Sequence, residues 1–190
     1  MIKRLIWSAV ALAAIVLIAL AGVGRGVAAE TTYANCRVSR VVDGDTFVCR
    51  YPKPNGKYAT ITVRVRVIDT PEASRWYSKR LGSMQPAECW GKEASSAAYG
   101  RLRSETVTIV SYGLDSHGRH LADVYMADGT RFEHWMLAEG HAAIYKGYKT
   151  YLSPEDGISR AAKSAGKGMW GSCPNPPGHN GRQPMPSVES

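Results

Sequence analysis

The sequence predicts an α+β domain, a small closed β-barrel of five strands that carries three α-helices. Three observations predict it. Short β-prone runs recur along the chain, separated by turn signals such as Asp43-Gly44 and Asp128-Gly129. One run alternates strictly, with Ile61, Val63, Val65 and Val67 on one face and Thr62, Arg64 and Arg66 on the other. Apolar residues at helical spacing interrupt the strands once and follow them twice.

The elements follow in order. Two β-rich runs lie between Arg37 and Tyr51, around the Asp43-Gly44 turn, and a polar loop covers 52–57. The alternating strand, 60–67, ends in Asp69-Thr70-Pro71-Glu72, where Pro71 stops further pairing. Residues 73–87 read as a polar, basic loop with Arg75, Lys79, Arg80, Trp76 and Tyr77. A helix is predicted over 89–103, with Trp90, Ala94, Ala97, Ala98 and Leu102 on one side. Two strands, 106–112 and 120–126, are joined by 113–119. Thr130 and Glu133 have capping-box spacing for a helix through Phe132, Trp135 and Met136, closed by Gly140. Ser153-Pro154-Glu155-Asp156 opens a last helix expected to bury Ile158, Ala161, Ala162 and Ala165 and to end near Gly166. This order fits an OB-like barrel.

Length and composition agree with one globular domain. The chain has 190 residues, 24 Lys+Arg, 16 Asp+Glu and 29 Gly+Pro, which excludes wholesale disorder and collagen-like structure. Of the net charge of +8, three positive residues lie in the first 29. The remainder is moderately basic and suits a polyanionic ligand without demanding one.

Residues 1–29 read as a signal peptide: Lys3 and Arg4 precede an apolar run over 5–23, and Val27 and Ala29 make a small-residue cleavage site. The alternative is an uncleaved membrane anchor, since 19 apolar residues just span a bilayer. Either way the domain is expected outside the cytoplasm, secreted or periplasmic. A short linker is expected over 30–35, the domain over 36–173, and a disordered Pro-rich tail over 174–190, which holds five prolines. The four cysteines contain no C-x-x-C, which disfavours a zinc knuckle, and an oxidising compartment favours two disulfides. Of three possible connectivities the preferred one joins Cys36 to Cys49 and Cys89 to Cys173.

Three pieces carry chemistry. Asp45 follows the Asp43-Gly44 turn, Asp69 and Glu72 flank Thr70-Pro71, and Arg119 closes Asp115-Ser116-His117-Gly118. Each alone is an ordinary turn or strand end. Together, Asp45 and Asp69 offer hard oxygen ligands of the kind Ca²⁺ takes. Arg64 and Arg119 are permanent cations able to grip a phosphate, and Glu72 is a spare carboxylate able to deprotonate water. That set suffices for attack of water on a phosphodiester.

These residues also carry a resemblance. The runs Val41-Val42-Asp43-Gly44-Asp45-Thr46, Arg64 to Glu72, and Asp115 to Arg119 with Leu121-Ala122 and Tyr125 to Gly129 resemble the thermonuclease, or staphylococcal nuclease-like, family. The similarity spans roughly 37–170, with the motifs in the family's order. The resemblance implies a secreted Ca²⁺-dependent endonuclease that cleaves DNA and RNA, prefers single strands and leaves 3′-phosphate ends. It implies that Asp45 and Asp69 bind the metal through side chains and Thr70 through its backbone carbonyl. Arg64 and Arg119 would neutralise charge on the five-coordinate phosphorus, and Glu72 would act on the attacking water. Tyr145 and Tyr148 fall near the family's base-stacking tyrosines, with core packing as their other reading.

There are departures. Ser116-His117 replaces a Lys-Tyr pair of the type member, the 73–87 loop is longer, and the four cysteines have no counterpart there. Arg66 shares the predicted face of Arg64 and is its substitute if the register shifts. No stable protein partner is implied, a monomer is expected, and membrane contact follows only from an uncleaved leader. The alternative functions are a non-catalytic extracellular nucleic-acid-binding module and a structural Ca²⁺-binding domain. The first leaves the carboxylates facing a polyanion unexplained, and the second leaves the arginines beside the metal unexplained.

Overall fold

The computed structural model describes residues 30–74, 76–78, 82–145 and 153–176. The leader, Arg75, Lys79, Arg80, Tyr148 and the tail from 177 onward lie outside the described residues, as do the side chains of Trp76 and Tyr77. Among the described residues no helix is long and apolar enough to cross a membrane.

Five strands close a barrel in the order β1-β2-β3-β8-β7, and the three longer helices, of 12, 7 and 11 residues, pack on it. The strands are β1 (Thr31–Val41), β2 (Thr46–Pro52), β3 (Tyr58–Val65), β7 (Thr106–Leu114) and β8 (His120–Tyr125). Short pairs β4 (Ile68–Asp69) with β9 (Ala143–Ile144), and β5 (Trp76–Ser78) with β6 (Ser83–Gln85), lie outside it. Phe47, Val63, Val65, Ile109 and Val124 fill the barrel and meet Phe132, Met136 and Leu137 of the helix that covers one end. Cys36 and Cys49, fully buried in that core, form one disulfide, and Cys89 and Cys173 form the other.

Several expectations change here. Of the segment 30–35 predicted as linker, residues 31–35 are strand, and Thr31, Thr32 and Tyr33 pair with Ser111, Val110 and Ile109 and help close the barrel. The 73–87 segment, predicted as loop, contains the β5–β6 hairpin, for which Trp76 and Tyr77 are strong strand formers. β3 ends at Val65, and Val67 takes a positive φ of 78° that turns the chain into β4. Period-two reasoning therefore fails past Val65. Arg64 and Arg66 have different partners: Arg66 grips Asp123 of β8 with Nε at 2.9 Å and Nη2 at 3.0 Å and lies 3.8 Å over the Tyr112 ring. Arg66 is thus no substitute for Arg64.

Helix α1 (Gly91–Leu102) is shorter than predicted, since Trp90 is left-handed with φ 71°. It buries Ala94, Ala98 and Leu102 at i, i+4 and i+8. Helix α2 (Phe132–Ala138) has no capping box. Its N-cap is Arg131, while Thr130 Oγ1 and N both turn back to Asp128 Oδ1. Glu133 points inward instead, fully buried, accepting from Arg131 Nε at 2.7 Å and from the Val124 backbone N–H at 3.3 Å. Helix α3 (Pro154–Ser164) is capped by Ser153, whose side chain accepts from the Asp156 backbone N–H. It buries Glu155 and Ala162 and half-buries Ile158, whereas Ala161 and Ala165 are exposed. A further turn, α4 (Met169–Ser172), carries Met169 and the approach to Cys173 against Ala143 and Trp90.

Arg131 holds α2, α3 and β8 together, reaching Asp123, Glu133 and Glu155 from one guanidinium. Burial alone would raise the Glu155 carboxyl. The hydrogen bonds from His134, its own backbone and Ser153, with the Arg131 charge, pull it down to about 2 instead. A carboxylate depressed in the folded state adds stability above its unfolded value, and that stability drains away as pH falls from about 4.5 toward 2. Burial pushes Glu133 the other way, so Glu133 favours the folded state on acidification and partly offsets the loss. Glu155→Gln should flatten the acid limb of a stability-against-pH curve from chemical denaturation. An unchanged limb would disprove this assignment.

Candidate active site

The strand register brings the predicted residues together. Thr46 pairs with Arg64 across β2 and β3, and the Val65 N–H donates to the Asp45 carbonyl at 2.8 Å, so Asp45 comes to the end of β3. The turn at Val67 brings Asp69 back on the other side of Arg64. Parallel pairing of β3 with β8 sets Arg64 beside Leu121, and Arg119 stands just before that strand. Gly44 completes the approach: a Cβ there would lie 2.7 Å from Thr70 Oγ1, so no other residue fits without displacing Thr70.

Arg64 is the centre. Its side chain is 7% exposed, its Nη1 forms an ion pair with Asp45 Oδ2, and its Nη2 meets Asp69 Oδ1 at 3.1 Å. Burial works against its charge, but Asp45, Asp69 and Asp43 more than restore it, so the guanidinium is held charged more firmly than in water. Thr70 clips Asp45 in place by donating both its N–H and its Oγ1 to Oδ2 at 3.0 Å. Thr46 Oγ1 donates to the other oxygen, Oδ1, at 3.1 Å.

Arg119 reaches the same cluster from solvent. Its Nη1 lies 3.4 Å from Thr46 Oγ1, and Asp115 holds its Nε at 2.7 Å. Asp115 also accepts the backbone N–H groups of His117 and Arg119. Burial opposes this, but those hydrogen bonds and the Arg119 charge keep the Asp115 carboxyl low. The Arg119 side chain is 28% exposed, and its Nη2 meets no acceptor among the described residues. One arginine is thus sealed in the wall and the other stands at the mouth.

Glu72 lies two residues past Thr70, half-buried, on a segment clamped by Glu88. The Glu72 N–H donates to Glu88 Oε2 and the Glu88 N–H donates to the Glu72 carbonyl, both at 2.8 Å. At Gly91 a Cβ would stand 2.2 Å from the Glu72 carbonyl oxygen, so the start of α1 rests directly on this segment. Tyr145 is buried, its N–H donating to Val67 O, and burial and then the Asp69 charge raise its phenol. It lies close enough to Asp69 and Arg64 for their charges to act on its phenol.

Four participants escaped the sequence reading. Asp43 was legible only as a turn residue, yet its Oδ1 accepts the Asp45 N–H, and burial and the Asp45 charge push it up to about 7. Thr46, Asp115 and Glu88 act through hydrogen bonds. The first two lie inside the quoted motifs, whereas Glu88 has no local signal.

The donor chemistry suits a hard divalent cation. Asp43, Asp45 and Asp69 surround a single buried guanidinium, so carboxylates outnumber the cation in this cluster. Among the described residues no three His, Cys, Asp or Glu side chains already converge on one point. The fit therefore rests on the Asp45 and Asp69 oxygens with water completing the shell, as Ca²⁺ tolerates.

Comparison with known proteins agrees with this geometry. A family model described as staphylococcal nuclease homologue matches residues 62–172, which include Arg64, Asp69, Glu72 and Arg119. An Escherichia coli O157:H7 protein named uncharacterized endonuclease is 29% identical over 143 residues, 74% of this chain and 80% of that protein. A Haemophilus influenzae protein of the same name is 29% identical over 139 residues, 71% of this chain and 65% of its own length. A protein of Oryza sativa subsp. japonica named probable staphylococcal-like nuclease CAN2 is 32% identical over 111 residues, 58% of this chain and 26% of that protein.

Proposed function

The chain belongs to the staphylococcal nuclease homologue family, and we propose that it is an exported, Ca²⁺-dependent endonuclease that hydrolyses DNA and RNA. The observation that carries the proposal is the buried Arg64 between Asp45 and Asp69, with Arg119 joined to it through Thr46. A structural metal site gains nothing from an arginine among its carboxylates, whereas a phosphate needs both charges.

The roles follow from placement. Asp45 and Asp69 would hold the metal with their side chains, together with the Thr70 carbonyl. Bound Ca²⁺ supplies Lewis-acid polarisation of a phosphate oxygen. Arg119, at the mouth, meets the phosphate first and Arg64 meets it at depth; both donate to the oxygens that gain charge as phosphorus becomes five-coordinate. Glu72 takes a proton from the attacking water, whose oxygen bonds to phosphorus as the P–O5′ bond breaks, and the leaving O5′ takes up a proton from solvent. The products are a 3′-phosphate and a 5′-hydroxyl. The depth of Arg64 favours single strands, which can fold a phosphate inward, over a duplex whose phosphates stay on a rigid rim. Export to an oxidising compartment is supported by the two disulfides and the apolar leader.

The test is cleavage of end-labelled single-stranded DNA and RNA by the purified protein, with Ca²⁺ and then with a chelator, beside Glu72→Gln. The expected result is Ca²⁺-dependent cleavage, reduced about 10²-fold or more in the variant, with Ca²⁺ affinity by calorimetry unchanged. Full activity of Glu72→Gln removes its assigned role. Binding without cleavage under any divalent ion moves the protein to the non-catalytic class.

A further inference from the structure

A groove leaves the site along the seam between β1 and α1. Its first cavity, of about 280 Å³, is lined by Asp43, Val41 and Val42 on one side and Ser95, Ser96 and Tyr99 on the other. A second cavity, of about 130 Å³, shares Val41 and Tyr99 and continues to Arg40, Arg103 and Ser104. Ser95, Tyr99 and Arg103 fall at i, i+4 and i+8, a single stripe along α1 and its C-terminal end. The stripe is about 12 Å long.

We propose that this groove binds the polynucleotide beyond the scissile phosphate, Tyr99 stacking on a base and Arg40 and Arg103 holding phosphates. The inference rests on the nuclease reading and extends its substrate contact to about two or three nucleotides, at a phosphate spacing of ~3.4 Å or more along a strand. Charge and exposure carry it. Arg40 and Arg103, like Arg37 and Arg50 elsewhere on the surface, form no ion pair among the described residues, whereas Arg64, Arg66, Arg101, Arg119, Arg131 and Arg160 each face a carboxylate. Tyr99 is a large ring left 49% exposed in the middle of the groove, with the Arg103 guanidinium 5.5 Å from its centroid. A cation beside an exposed ring is the arrangement that accepts bases without regard to sequence.

The test compares the parent protein with Tyr99→Ala and with Arg40→Ser/Arg103→Ser. All three side chains are exposed, and thermal melts should be unchanged. Binding of a fluorescein-labelled 20-nucleotide single strand is followed by anisotropy in chelator. Tyr99→Ala should bind about tenfold more weakly, the scale of one stacked base. The double arginine variant should lower the slope of log K against log salt by about 1.4, near 0.7 for each lost phosphate contact. With Ca²⁺, KM for the 20-mer should rise while cleavage of a dinucleotide, too short to enter the groove, keeps its kcat and KM. Unchanged affinity and slope overturn the proposal, as does an equal loss on the dinucleotide or no strand binding by the parent protein. If the variants bind more weakly as expected but the parent cleaves nothing, the groove stands and the nuclease reading falls. If cleavage is strong and the variants match the parent on both lengths, the reverse holds.

Discussion

Arg64→Ala should lower kcat by about 10²–10³-fold, the scale of losing one charged donor to a transition-state oxyanion, about 2.7–4 kcal/mol. It should also destabilise the fold by about 3–5 kcal/mol, because Asp45 and Asp69 would be left without the cation that now lies between them. The two effects separate by comparison with Arg119→Ala. Arg119 is partly exposed, and its partner Asp115 keeps two backbone N–H donors when the guanidinium is gone. That variant should lose a comparable factor in kcat at a much smaller cost in stability. Arg64→Lys restores charge but not the two-pronged contact, so it should recover part of the stability and little of the activity. A third readout is independent of turnover. Removing a buried cation from among three carboxylates should tighten Ca²⁺ binding measured by calorimetry. Folded Arg64→Ala with parental kcat, or with weakened Ca²⁺ binding, would overturn the assignment of Arg64.

The central cluster was legible in sequence because its members sit at strand ends whose register is fixed by alternation. Once β2 and β3 pair in register, Thr46 lies opposite Arg64 and Asp45 has one place to go. Residues whose roles depend on distant partners were not legible. Glu133 has capping-box spacing from Thr130, yet Arg131 and the Val124 N–H bind it in the core. Glu88 looks like any acidic residue before a helix, and only the fold shows its carboxylate on the Glu72 N–H, 16 residues away in sequence. Arg66 shows the limit of periodicity itself, since one left-handed residue at Val67 ends the pattern that had grouped it with Arg64.

Opening the Cys89–Cys173 disulfide, by Cys89→Ala/Cys173→Ala or by mild reduction, should cost about 4–5 kcal/mol, the chain-entropy value for a loop of 84 residues. For a domain of this size that lowers Tm by roughly 10–18 °C. The Cys36–Cys49 bridge spans 13 residues of an already paired hairpin, and the same reasoning gives it about 3 kcal/mol. Access separates the two further. Cys36 and Cys49 are fully buried, whereas Cys89 is exposed, so a small thiol should open the second bridge first while the barrel stays folded. The consequence reaches the site. Cys89 adjoins Glu88, the residue that clamps Glu72, and Gly91 rests on the Glu72 carbonyl. The disulfide ties that turn to α4, and α4 is tied to α2 by the Met169 N–H on Gly140 O. Released from Cys173, the turn loosens and Glu72 loses its fixed position, for which displacement of about 1 Å costs up to 10²-fold in rate. Reduced protein held well below its new Tm should therefore show a lower kcat with Ca²⁺ affinity unchanged, since Asp45 and Asp69 are held by Arg64 and Thr70 and not by this turn. A parental kcat in the reduced, folded state would confine the disulfide to stability alone.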